Sequence, residues 1–113
     1  MSELNQRTHF IAIMHDFKHT LVQGYPFNAE EIPEEDQSFL QQLNDILVKA
    51  EAADPEHIFL GQYWVSRLYS NYPGFAPYFN RDALWYLGGD ALHWLSDEEI
   101  DHYQQLTDNE MLH

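Results

Sequence analysis

The sequence predicts an all-α protein: a compact bundle of four to five helices, kinked or broken at Gly88-Gly89, in a single domain over residues 1–113. Three observations predict it. Apolar residues recur at three- and four-residue spacing along most of the chain. Helix start and stop signals separate those segments. No Asn-Gly or Asp-Gly turn sits between two alternating runs, so strand signals are poor.

The spacing predicts a first helix over 3–23, with Phe10, Met14, Phe17 and Leu21 at i, i+4, i+7 and i+11 and Ile13 widening the stripe. Gly24 is placed to stop it as a C-cap, and two prolines mark 24–33 as a loop. Pro33 suits the first turn of a second helix reaching about Ala53, and Glu34, Glu35 and Asp36 suit its positive end. Its apolar face is Phe39, Leu43, Ile46, Leu47 and Ala50. Asp54-Pro55 restarts a third helix over 55–72, apolar on more than one face and so expected to be central or covered by a partner. Asn80 caps a fourth helix from Arg81 to about Leu95. Gly88-Gly89 in its middle costs ~2 kcal/mol relative to alanine, which predicts a kink, a break or a close approach of another backbone. Ser96 and Glu99 form a capping box that opens a fifth helix. Ile100, Tyr103 and Leu106 are expected to point inward, with fraying after about Thr107.

Length and composition bound the function. For 113 residues, size scaling gives ~6,500 Å² of folded surface against ~19,000 Å² extended, enough burial for a real core. A hydrophobic fraction of 44% argues against disorder. Nineteen Asp plus Glu face five Lys plus Arg, a net charge of −14. Phosphate binding needs a basic face, so no nucleic acid and no anionic membrane is expected as a partner. Without Cys there is no disulfide, thiolate zinc site, iron–sulfur cluster or Cys nucleophile. No basic stretch followed by a long apolar run opens the chain, so no secretory signal is expected. The longest apolar runs are far short of the ~20 residues of a spanning helix, and a cytoplasmic protein is expected.

Several constellations could carry chemistry. His15 and His19 share one helix face, as two-histidine metal ligands require; His57, Asp90, His93 or His102 could supply a third ligand. The alternative is a solvated polar face. Asp90 and His93, at i and i+3, could pair as a carboxylate orienting a general base, or form a local helix contact. No nucleophile or phosphate-cradling loop accompanies them, and nothing implies a cofactor. Arg81 opposes the dipole of the helix it opens, unlike its neighbour Asp82, and so should have a specific carboxylate partner, intramolecular or on a ligand. Phe59, Tyr63, Trp64, Tyr69, Tyr72, Phe75, Tyr78, Phe79, Trp85, Tyr86 and Trp94 crowd one third of the chain. So small a domain cannot fully bury eleven large rings; some should line a groove or a dimer interface, or lie half-exposed on a thick core. The acidic runs at Glu30–Asp36 and Asp97–Asp101 coincide with helix starts, where dipole complementarity accounts for much of them.

The stretch Asn80-Arg81-Asp82-Ala83-Leu84-Trp85-Tyr86-Leu87-Gly88-Gly89-Asp90-Ala91-Leu92-His93-Trp94, followed by Ser96-Asp97-Glu98-Glu99-Ile100, resembles the C-terminal signature of a small bacterial family of uncharacterised all-helical proteins. A weaker likeness surrounds Gln62-Tyr63 and Tyr72-Pro73. The resemblance implies an intracellular bacterial protein of unassigned activity and carries over no catalytic residue.

Three function readings follow. The first is a small acidic interaction protein, a homodimer associating through the aromatic segment, with room for another protein partner. The second is an enzyme or metal-binding protein with a site near Arg81, Asp90 and His93. The third is a nucleic-acid mimic that binds a basic protein. Across the first two, the candidate functional cluster is Arg81, Asp82, Trp85, Gly88, Gly89, Asp90, His93 and Trp94, with His15 and His19 as candidate metal ligands.

Overall fold

Five α-helices and two short 3-10 segments make up the described residues, and no strand occurs among them. The computed structural model describes residues 3–111, with side chains over 6–108. The helices are α1 (Glu3–Leu21), α2 (Glu34–Glu51), α3 (Glu56–Asn71), α4 (Arg81–Leu87) and α5 (Asp97–Met111). The 3-10 segments are Ala76–Tyr78 and Gly89–Trp94. None of the described helices is long and apolar enough to cross a membrane.

The stripes legible in the sequence meet in one core. Helix α2 packs on α1 and α3, and α4 bridges α1 to α3. Phe10, Ile13, Met14, Phe17 and Leu21 of α1 are buried against Phe39, Leu43, Ile46, Leu47 and Ala50 of α2. Trp64 of α3 is fully buried among them. Its ring stacks on Phe39 at 4.5 Å, meets Phe17 edge-on at 5.9 Å, and its indole N–H donates to the Phe39 carbonyl at 3.0 Å. A buried Trp needs such an acceptor, and the helix pair supplies it.

The structure sharpens some of these expectations and corrects others. Helix α1 ends at Leu21, and Gly24 is no left-handed cap; a Cβ on it would lie 2.9 Å from the Phe75 ring, so its lack of a side chain makes room for that ring. Helix α3, expected to be central or covered by a partner, is covered only in part within the chain: Phe59 and Tyr63 are 70% and 62% exposed. The predicted fourth helix stops at Leu87, because Gly88 takes φ 64° and ψ −158°, a region essentially closed to other residues. Gly89 is also at positive φ, and the chain continues as 3-10 turns to Trp94. Helix α5 runs on to Met111 instead of fraying after Thr107, and Leu106, although it lines the cavity between α1, α4 and α5, stays 49% exposed.

The predicted N-caps of α4 and α5 form. The Asn80 side chain accepts from Asp82 N–H at 2.9 Å. Ser96 Oγ accepts from Glu99 N–H at 3.1 Å while Glu99 returns to Ser96 N–H at 3.0 Å. The end of α2 does not follow a glycine rule. Asp54 N–H bonds Lys49 O and Ala53 N–H bonds Ala50 O, a closing pattern that places Ala53 at φ 58°. Left-handed geometry costs an alanine roughly 1–2 kcal/mol, partly offset by the looser unfolded state of a glycine. Ala53→Gly is therefore expected to stabilise the fold by about 0.5–1 kcal/mol, read as a higher urea midpoint at unchanged slope.

Candidate functional site

Arg81 is the hub of the C-terminal third. Its Nε donates to Glu99 Oε2 at 2.8 Å and its Nη2 to Glu99 Oε1 at 2.7 Å, a bidentate pair. Nη2 also reaches the Trp94 carbonyl at 2.7 Å, and Nη1 donates to the Tyr69 hydroxyl at 3.0 Å. One guanidinium thus ties together the starts of α4 and α5, the end of the 3-10 segment and α3. The Arg81 hydrogen bond, with help from the Ser96 backbone N–H, holds the Glu99 carboxyl down at about 2. Arg81 is accordingly a clamp with an intramolecular carboxylate. Sequence reasoning expected such a partner but read Glu99 only as a capping residue; its place in the capping box was the one available signal.

The rest of the predicted cluster divides between two faces. Asp90, His93 and Trp94 line a groove of about 460 Å³ against Phe59, Gln62 and Tyr63 of α3. Trp94 stacks flat on Tyr69 at 4.8 Å, and His93 stands edge-on to Trp94 at 5.1 Å. No hydrogen bond joins Asp90 to His93 among the described residues, so the carboxylate-oriented imidazole is not assembled. At the break, the Gln62 amide donates to the carbonyls of Leu87 at 2.9 Å and Gly88 at 3.3 Å. A Cβ on Gly89 would lie 2.6 Å from that amide nitrogen. Gly88-Gly89 therefore admits a side chain of α3 rather than another backbone.

Asp82 and Trp85 face the other way, into a cavity of about 220 Å³ between α1, α4 and α5. Tyr103 donates its hydroxyl proton to Asp82 Oδ1 at 2.6 Å, and His9 Nε2 lies 3.0 Å from Oδ2. The Tyr103 hydrogen bond first, and His9 second, hold the Asp82 carboxyl below its ordinary range. Burial, then the bond to Asp82, pushes the Tyr103 phenol up. Trp85 stacks on Tyr103 at 5.4 Å. His9 was not read from the sequence, because it lies 73 residues from its carboxylate partner, and Tyr103 was read only as an inward-facing residue of the last helix.

The remaining histidines go separate ways. His15 pairs with Glu51 at 3.2 Å and His19 with Gln23 at 2.7 Å, so the shared face does not bring them to a common partner. His57 is buried, its Nδ1 on the Asp54 carbonyl and its Nε2 2.8 Å from the Tyr86 hydroxyl. A carbonyl only accepts, so Nδ1 carries the proton. Among the described residues no three His, Asp or Glu gather as metal ligands would. Arg81, Asp90 and His93 do not converge on one pocket.

The profile of the family described as PA2817-like matches residues 2–112, so the chain belongs to that family, whose description names no activity. No curated protein and no solved structure matches the chain.

Proposed function

We propose that this PA2817-like protein is a small interaction protein that self-associates through the outer face of α3 and its neighbouring groove. The observation that carries the reading is the exposure of Phe59 and Tyr63, 70% and 62%, one turn apart on that face. They form an apolar ridge along one wall of the groove whose other wall carries His93 and Trp94. A ridge next to a groove is self-complementary under a two-fold axis: the ridge of one copy enters the groove of the other. Charge supports a second copy as the occupant. Each chain carries −14, and two copies repel unless they meet where carboxylates are few. Asp90 is the only carboxylate among the groove's lining residues. The expected setting is the bacterial cytoplasm, and the Arg-Asp to Asp-Glu-Glu-Ile pattern as a mark of the family belongs to the same proposal.

Sedimentation equilibrium tests it. A mass of twice 13.4 kDa is expected at tens of micromolar protein, with association strengthening as salt screens the repulsion. Phe59→Asp should weaken the dimer by roughly 30-fold or more, since a truncated hot-spot ring costs ~2 kcal/mol or more. A protein that stays at 13.4 kDa in high salt overturns the reading.

A further inference from the structure

The cavity between α1, α4 and α5 is separate from the α3 face and has its own chemistry. We propose that it binds a small arylalkyl amine, with the ammonium on Asp82 and the ring on the apolar wall. The volume fits. An apolar cavity of ~150 Å³ holds a benzene ring, so about 220 Å³ accommodates a ring with a short arm. Trp85, Tyr86 and Leu106 supply the accessible apolar and aromatic surface, with Phe10 and Ile13 buried behind them. The aromatic faces also attract a cation at close range.

The polar end selects the charge. Asp82 accepts from Tyr103 on Oδ1 and has His9 on Oδ2. A carboxylate offers about four acceptor positions, so room remains for an ammonium donor. Those two neighbours also keep the carboxyl ionised. Among the described residues no Lys or Arg lines the cavity to compete for it. The surrounding charge of −14 draws cations and repels carboxylate ligands.

The test is an NMR titration of the full-length protein with 2-phenylethylamine, 2-phenylethanol and phenylacetate. The amine should shift the amides around Asp82, Trp85 and Tyr103 and bind about tenfold or more tighter than the alcohol, the value of one charge-assisted hydrogen bond. Phenylacetate should not bind. Asp82→Asn should remove the preference for amine over alcohol. Leu106→Trp, a change at a half-exposed lining position, should weaken both ligands while leaving Asp82 and its partners in place. It decides the matter if Asp82→Asn loosens α5. Shifts scattered over the acidic surface, or amine binding indifferent to Leu106→Trp, would show unspecific ion pairing and overturn the proposal. So would equal binding of all three compounds.

Discussion

Trp64→Ala is expected to lower the unfolding free energy by about 3–5 kcal/mol, the largest effect of any single truncation in the core. The side chain is fully buried where α1, α2 and α3 meet. Alanine forfeits the stack on Phe39 at 4.5 Å and the contacts with Phe17 and Phe79, and leaves a cavity that three helices cannot easily close. It also removes the indole donor from which the Phe39 carbonyl accepts. A domain of this size has of order 5–15 kcal/mol in total, so the variant sits near the limit of folding at 37 °C. The corresponding fall in Tm is roughly 12–25 °C. Trp64→Phe separates the two contributions: it keeps a ring on Phe39 and loses the indole donor, and should cost less than half as much. Urea unfolding followed by far-UV circular dichroism measures both. A loss under 1 kcal/mol for the alanine variant would mean that α2 and α3 are not held by this ring.

Arg81→Ala should cost about 2–3 kcal/mol, and its signature is in the pH dependence. Hydrogen bonds to charged groups contribute ~1.5–3 kcal/mol each when buried. The Arg81 and Glu99 side chains are 39% and 31% exposed, so the sum must be discounted heavily for solvent screening. The sign follows from linkage. Glu99 is depressed from 4.5 to about 2 in the folded state, so its stabilisation is complete above 4.5 and is lost as pH falls toward 2. Arg81 stays charged throughout. The wild type should therefore lose stability more steeply than Glu99→Gln between pH 4.5 and 2, and the two curves should converge at the acid end. Parallel curves across that window would show that the pair contributes nothing. Because α5 contains no buried residue among those described, its detachment in Arg81→Ala should precede global unfolding, visible as early loss of amide protection in α5.

The local features were legible. Periodicity identified the α1 and α2 stripes residue by residue, and the caps at Asn80 and Ser96 followed from short-range hydrogen bonding. Adjacent glycines announced the break after Leu87, though not that Gln62 fills it. The end of α2 was placed to within two residues, though not that Ala53 adopts a conformation that residue type alone assigns to glycine. The apolar richness of α3 announced a helix that is central or covered by a partner, but composition does not say which rings a neighbour within the chain covers. Phe59 and Tyr63 face outward because α2, α4 and the 3-10 segment Gly89–Trp94 occupy other sides of α3.

By itself the sequence determined the helical class, the core stripes, the caps and the need of Arg81 for a carboxylate. These depend on backbone dihedrals and on neighbours three or four positions away. Only the tertiary structure decided that Glu99 is that carboxylate, that Asp82 meets His9 and Tyr103, and that Asp90 and His93 lie on a different face from Asp82. Those pairings depend on how helices rotate against one another. That rotation is set by the packing of the whole core, which no local pattern encodes.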